Sequence, residues 1–323
     1  MRSQRNIVIL GGGHSEEREV SLVSAHKVAE SLSSGAWRPT LLDPADFPTP
    51  QALLDAIVAH HPDIVFFGLH GGAGEDGRLQ AMLELAGIPF TGSRYAASAL
   101  AMNKLVSQQL AAQLGIAVPA TFSLRHSDAR AEAITGVGFP MVVKPNHGGS
   151  SVGITLVQQP AQLPEAIELA RRYDRHVLLQ QFIAGRELTV TILDQAALPV
   201  VEIIPRDGWY DYKHKYTKGE TEYHAPADIS PDIARQLQQQ ALAIYQAMGC
   251  EGYARVDFRG DGDDYCFLEV NTLPGMTPLS LTPMAAREAG YSFLELLETI
   301  IEVALRGDWT TPFANNKETI RSA

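Results

Sequence analysis

Polar and apolar residues alternate with a period of two over residues 255–258 and again over 266–271, and GDGDD lies between the two runs. This pattern predicts a β-hairpin whose strands each carry two different faces. Ala254, Val256 and Phe258 are expected on one face with Cys266, Leu268 and Val270, and Arg255 and Asp257 on the other with Glu269 and Asn271. The second face gathers two carboxylates, an amide and a guanidinium. Hard oxygen ligands grouped this way suit Mg²⁺ held between protein and phosphate oxygens. They equally suit a solvated sheet face with ordinary cross-strand pairs, and alternation alone leaves both readings open.

Elsewhere the pattern alternates between β and α units. Residues 6–10 form a short apolar strand that runs into Gly11, Gly12 and Gly13, followed by a helix with Leu22, Ala25, Val28, Ala29 and Leu32 on one face. A dinucleotide fingerprint would need glycine where Glu16 stands, which argues against a dehydrogenase. A strand near 39–42, a helix over 50–60 and a strand over 63–67 follow, the last ending in LHGGAGEDG. Such alternation implies a parallel sheet with ligands beyond the carboxyl ends of its strands, where both glycine-rich stretches fall. This lobe is expected to bind a small substrate.

A long helix is expected over 96–114, with Lys104 projecting from its first turns, before a break at Pro119. FPMVVKPNHGGSSVGITLV predicts two strands joined by a flexible loop with hydroxyls, preceded by Lys144, which is chemistry that cradles phosphate. A Walker-type G-x-x-x-x-G-K-[ST] is absent. Then come a helix over 161–173, strands over 177–182 and 187–193, a long polar and aromatic loop over 205–228, and helices over 231–248 and 292–305.

Composition narrows the classes. The 323 residues predict two or three lobes. A net charge of −11 disfavours nucleic-acid and anionic-membrane partners. Cys250 and Cys266 are the two cysteines, too few for a disulfide framework, and neither has a companion at metal-ligand spacing. The N-terminal apolar run is too short for a signal peptide and no stretch reaches membrane-spanning length, so a cytoplasmic protein is expected.

Eight stretches in order, GGxSxEREVSLxSA, LHGxxGEDGxxQ, GIPFTGS, ALAMxK, VVKPxxxGSSVG, YDYKHKY, ARVDF and EVNTLPGMTPxSLxPMAA, make the chain resemble the D-alanine:D-alanine ligases of the ATP-grasp superfamily. The resemblance runs from Asn6 to about Leu305. It implies an α/β fold in three domains: an N-terminal substrate-binding domain with a parallel sheet (1–100), a central ATP-grasp domain (101–184) and a C-terminal catalytic domain (185–312) with the loop 205–228. Residues 313–323 are left as a polar tail. ATP and two Mg²⁺ ions, for which Mn²⁺ could substitute, would be gripped between the second and third domains. The implied assembly is a homodimer.

In the family reaction the first D-alanine is phosphorylated to an acyl phosphate, and the amine of the second displaces phosphate. The resemblance assigns Asp257, Glu269 and Asn271 to the metals, and Lys104, Lys144, Ser151, Gln180 and Glu187 to ATP, with Glu187 on the ribose. Arg255 and the backbone N–H of Gly275 match the oxyanion donors, and Glu17 the group that receives the first D-alanine's ammonium. Ser150 and Tyr216 match a pair joining Glu17 to the mobile loop, His70 lies nearby, and Lys215 and Ser280 match groups that hold the second substrate's carboxylate. Tyr216 favours an amine over a hydroxy acid as second nucleophile. Three positions depart from the pattern: Asn103 where aspartate is usual, Gly148 where the serine loop carries glutamate, and Gln180 where glutamate faces the adenine amino group. Gly148 bears on substrate choice, and Asn103 and Gln180 on ATP affinity, leaving as alternatives a ligase of the same build for other amino acids, or an ATP-binding protein without catalysis.

Overall fold

The computed structural model describes residues 4–124, 136–205 and 221–310, which form an α/β fold built on three sheets. In the first, β1 (Arg5–Leu10), β2 (Trp37–Leu42) and β3 (Ile64–Phe67) pair in parallel in the order β2-β1-β3. All four residues of β3 are buried, as expected of a parallel strand covered on both faces. Helix α1 (Arg18–Ser33) crosses back over this sheet, followed in the chain by α2 (Pro50–Ala59), the single turn α3 (Gly72–Glu75) and α4 (Arg78–Ala86). IPF contributes only an isolated parallel bridge, Val65 to Phe90.

The helix expected over 96–114 is two helices, α5 (Tyr95–Met102) and α6 (Lys104–Gln113). Asn103 separates them. Its backbone is extended, and its side chain caps α6 by accepting from the Val106 N–H at 3.2 Å. Lys104 is therefore the first residue of a helix rather than part of a continuous one.

A four-stranded antiparallel sheet follows, from β4 (Thr121–Leu124), β5 (Met141–Pro145), β6 (Thr155–Val157) and β7 (Val177–Gln181), in the order β4-β7-β5-β6. Helix α7 (Leu163–Arg171) packs its Leu163, Ala166 and Ala170 on this sheet. The helix expected over 161–173 thus begins as a 3-10 turn at Pro160–Gln162.

The third sheet is antiparallel, in the order β11-β10-β8-β12-β13, with β9 (Ala196–Ala197) paired to β8. Its other strands are β8 (Arg186–Leu193), β10 (Val201–Pro205), β11 (Thr221–His224), β12 (Tyr253–Asp261) and β13 (Asp264–Asn271). Strand β11 lies inside the stretch expected to be a loop over 205–228; residues 206–220 of that stretch fall outside the described residues. Helix α8 (Pro231–Ala247) buries Ile233, Leu237, Ala241 and Ile244 beneath β8 and β12. The last elements among the described residues are α9 (Leu281–Glu288), which the sequence pattern did not predict, and α10 (Phe293–Leu305). Helix α10 joins β1, β3 and α1 in one apolar cluster through Leu296, Leu297, Ile300 and Ile301, so this late helix closes the core of the first sheet.

The β12–β13 hairpin forms as predicted, but its register shifts between Asp257 and Phe258. Asp257 pairs with Glu269 while Phe258 pairs with Phe267, leaving Leu268 as the extra residue of a bulge. Because side chains alternate by two, one inserted residue swaps the faces beyond it. The buried residues of β13 are consequently Tyr265, Phe267 and Val270, and the expected apolar set of Cys266, Leu268 and Val270 holds only at Val270. The polar face before the bulge keeps its predicted composition.

Candidate active site

The polar face of β12 and β13 is a network of opposite charges. Arg255 grips Asp257 with two hydrogen bonds, Nε to Oδ1 and Nη2 to Oδ2, each 2.9 Å. The Thr189 hydroxyl of β8 donates to Asp257 Oδ1 at 2.6 Å, and Asn271 Nδ2 donates to Oδ2 at 3.0 Å. Glu269, the cross-strand partner of Asp257, takes an ion pair from Lys104 at 3.0 Å. Three oxygen-bearing side chains, Asp257, Glu269 and Asn271, therefore share one patch, with cations answering both carboxylates.

Lys104 also donates to the Gly148 carbonyl at 2.6 Å, tying the start of α6 to the loop after β5. Asn146 holds the same junction: its Oδ1 accepts from the Leu105 N–H at 2.9 Å and its Nδ2 donates to Asn103 Oδ1 at 3.0 Å. At the end of β5 lies Lys144, 6% exposed. Burial, and to a lesser degree Lys104, lowers its ammonium pKa to about 8 although Glu269 opposes this. A buried lysine with a weakened hold on its proton is stabilised by any anion that arrives.

The loop carrying Gly148 and the two serines has an unusual backbone. Gly148 has φ of +130°, and Ser150 and Ser151 have φ of +46° and +58°. Non-glycine residues at positive φ carry strain, which clusters at ligand-binding loops. Ser150 nevertheless turns its hydroxyl onto the Glu17 carboxylate. Glu17 stands at the N-terminal end of α1, and a side chain at Gly71 or Gly149 would strike its Oε2 at 2.6 Å. These two glycines let two backbones approach one carboxylate closely.

His70, at the end of β3, is 5% exposed and held at both nitrogens. Nδ1 lies 2.9 Å from the Leu273 carbonyl, so it carries the proton, and Nε2 accepts from the Ser24 hydroxyl at 2.9 Å. Burial keeps its pKa below the ordinary histidine value despite nearby Glu17, with Arg255 acting in the same direction as burial. His70 is thus a neutral strut between α1 and the segment after β13. In that segment Gly275 lies against Ser280, whose Oγ accepts from the Thr277 N–H at 3.1 Å and whose residue precedes α9.

On the other sheet Gln180 is buried at 3% exposure. Its Nε2 donates to Gln108 Oε1 at 3.0 Å and to Thr121 Oγ1 at 2.9 Å, while Gln108 Nε2 donates to the Leu268 carbonyl at 3.1 Å. The bulge residue of the hairpin is thereby tied to α6 and β7. Glu187, on β8, pairs with Arg259 at 2.9 Å. Ser151 lies on the loop beside Ser150, whereas Lys215 and Tyr216 lie outside the described residues.

The sequence reading passed over several members of this network. Glu75 is 7% exposed and accepts from the N–H groups of Gly71 and Leu273 at 3.0 and 3.3 Å. Burial, reinforced by Glu17, raises its pKa to about 7 against these bonds. Thr189, Gln108 and Ser24 were also missed. Ser24 could have been noticed, because it and Ser21 interrupt the apolar face of α1 as buried hydroxyls.

The same chain matches two family models, "D-ala D-ala ligase N-terminus" over residues 43–93 and "D-ala D-ala ligase C-terminus" over 110–302. It is 42% identical over 307 residues to the D-alanine--D-alanine ligase of Geobacter sulfurreducens, covering 94% of this chain and 96% of that one. It is 44% identical over 299 residues to that of Bordetella avium, covering 91% and 92%. The fold is similar to the crystal structure of D-alanine--D-alanine ligase from Bacillus anthracis complexed with ATP, at TM-score 0.82 and 31% identity over 94% of this chain and 98% of that one. It is also similar to VanG D-Ala:D-Ser ligase from Enterococcus faecalis, at TM-score 0.80 and 31% identity over 93% and 99%. The match to both halves of the family, over nearly the whole length of these relatives, means that this chain belongs to the D-alanine--D-alanine ligase family.

Proposed function

We propose that this protein is an ATP-dependent ligase that joins two D-alanines into D-alanyl-D-alanine for peptidoglycan precursors, in the cytoplasm and as a homodimer. The observation that carries the reading is the convergence of Lys104, Lys144 and Arg255 on Asp257 and Glu269, with Glu17 reached from the same loop by Ser150. Phosphoryl transfer needs positioned charge more than covalent help. Lys104 and Lys144 supply that charge to the ATP phosphates, and Glu187, Ser151 and Gln180 hold the ribose, a phosphate and the adenine.

The donor set fits Mg²⁺: Asp257, Glu269 and Asn271 offer hard oxygens, and cations already answer both carboxylates. When bound there, Mg²⁺ neutralises charge on the transferring phosphoryl group. Glu17 receives the ammonium of the first D-alanine. The carboxylate of that D-alanine attacks the γ-phosphorus and displaces ADP, and the amine of the second D-alanine then attacks the acyl phosphate carbon, losing a proton as the tetrahedral intermediate collapses and expels phosphate. The resulting oxyanion is held by Arg255 and the Gly275 N–H. Lys215 and Ser280, the latter before the N-terminus of α9, hold the second carboxylate. Ser150 holds Glu17, the family resemblance adds Tyr216 to that pair, and excluding water from the site protects the acyl phosphate. An amine rather than D-lactate is the second nucleophile.

A second reading, with another amino acid at the second position, rests on Gly148. Its φ of +130° would strain the glutamate usual there, so the loop has settled into a backbone path that needs glycine. The direct test of the main reading is Glu269→Gln. It is expected to abolish D-alanine-dependent ADP formation, and near-normal turnover would remove the metal assignment.

A further inference from the structure

At the root of the loop that carries Ser150 and Ser151, three side chains come together that meet the network above only through Asn146, whose Nδ2 lies 3.3 Å from His147 Nε2. His147 opens that loop, while Asp174 and His176 sit in the turn between α7 and β7. Each can offer one ligand atom, and the three atoms lie within 4.8 Å of one another. His147 Nδ1 is 2.7 Å from Asp174 Oδ2, and the two imidazole rings lie 6.2 Å apart between centroids, tilted by 38°. The Asp174 carboxylate is fixed from behind. Its Oδ2 accepts from the His147 N–H at 2.9 Å and its Oδ1 from the His176 N–H at 2.9 Å. The backbone adds a strap, the Asn146 N–H donating to the His176 carbonyl at 2.9 Å.

We propose that His147, Asp174 and His176 form a binding site for a Zn²⁺-class transition-metal ion that fastens the root of the phosphate loop to the turn before β7. Two imidazoles and one carboxylate, with a fourth position left to water, suit Zn²⁺, Co²⁺ or Ni²⁺, whereas Mg²⁺ prefers oxygen alone. The backbone bonds to Asp174 are the outer contacts that orient a metal-binding carboxylate. Ligand atoms of one tetrahedral ion stand about 3.3 Å apart at bond lengths near 2.0–2.1 Å. The His147 ring therefore moves back slightly from Asp174 as an ion enters. The His147 side chain, 42% exposed and held besides by Asn146 Nδ2 at 3.3 Å, has room for this adjustment, while Asp174 is 11% exposed and stays anchored.

The ion would act on the loop and not on the reacting atoms. One residue after His147, the Gly148 carbonyl receives Lys104, and Ser150 reaches Glu17 two residues further on. Fixing His147 therefore restrains the segment through which these contacts are made.

Co²⁺ is the probe, titrated into the tag-free, nucleotide-free chain in excess Mg²⁺ and followed by its visible absorption. One equivalent with an intense tetrahedral band is expected, displaced by Zn²⁺. His147→Asn and His176→Asn should each weaken Co²⁺ binding by about a hundredfold. Thermal unfolding without metal checks that the variants fold, and Glu269→Gln should leave the Co²⁺ spectrum unchanged. Absence of stoichiometric Co²⁺ binding, or the same titration in a folded His147→Asn/His176→Asn double variant, would overturn the proposal. A band lost in Glu269→Gln instead would do so as well, by moving the ion to the catalytic face.

Discussion

Ser150 donates its hydroxyl proton to the Glu17 carboxylate, joining the loop after β5 to the first turn of α1 across 133 residues of sequence. The bond is made from a backbone held at φ of +46°, so the loop is strained into the position that reaches Glu17. If Glu17 receives the ammonium of the first D-alanine, Ser150 is the group that aims it. Ser150→Ala should then raise the D-alanine KM by about tenfold or more, the loss of one hydrogen bond to a charged group. The ATP KM should change by no more than about twofold. Steady-state kinetics with each substrate varied separately decides it, and equal effects on both would argue that the serine only supports the loop.

If Lys144 meets the ATP phosphates, as proposed, it makes ATP binding depend on pH. Its folded pKa of about 8 lies below the ordinary 10.5 because burial disfavours the ammonium. ATP phosphates favour the ammonium, so nucleotide raises that pKa. Below about pH 8 the free enzyme already holds the proton, and affinity is flat. Above it the proton must be recovered on binding, and ATP affinity should fall by up to about tenfold per pH unit. Stability runs the other way. The unfolded chain holds more protons between about 8 and 10.5, so the penalty of burying Lys144 is full below that interval and relieved as pH rises through it. Calorimetric titration of ATP across this range should show the slope in the wild type and lose it in Lys144→Met. A flat wild-type profile would mean that this lysine does not meet the phosphates.

Gln180 shows how a local departure from the family pattern is absorbed by its neighbours. Both hydrogens of its amide are held by Gln108 and Thr121, so its oxygen is what remains to accept from a nucleobase amino group. Restoring the usual glutamate would set a carboxylate oxygen against Gln108 Oε1. Gln180→Glu alone should therefore weaken ATP binding and lower stability by about 1–3 kcal/mol, the cost of a buried polar group losing its partner. Adding Gln108→Lys should recover much of both, which a double-mutant cycle of Tm and ATP KM would measure. If the single variant binds ATP more tightly, the amide pair is not what sets this site.

The hairpin face was legible because period-two alternation is a property of the chain itself. Arg255, Asp257, Glu269 and Asn271 could be grouped before any fold was known, and Asp257 does pair with Glu269. The same rule failed at the next residue, Leu268, where a bulge swaps the faces and Gln108, 160 residues away, holds the carbonyl. The break at Asn103 had a local cause, a capping side chain, and was hidden by apolar residues continuing on both sides. Glu75 was hidden for a different reason. In sequence it is one acid in a glycine-rich turn, and only folding brings it beneath Leu273, 198 residues away. Residues that touch across long stretches of chain leave no periodic trace.

The central claim is tested most directly by offering the purified protein ATP, Mg²⁺ and a panel of D-amino acids, L-amino acids and D-hydroxy acids, singly and in pairs, while measuring phosphate release and identifying products. The expected result is stoichiometric ADP, phosphate and D-alanyl-D-alanine from D-alanine alone, with no ester from D-lactate at neutral pH. Phosphate release that ignores D-alanine, or nucleotide binding without amino-acid-dependent turnover, would contradict it.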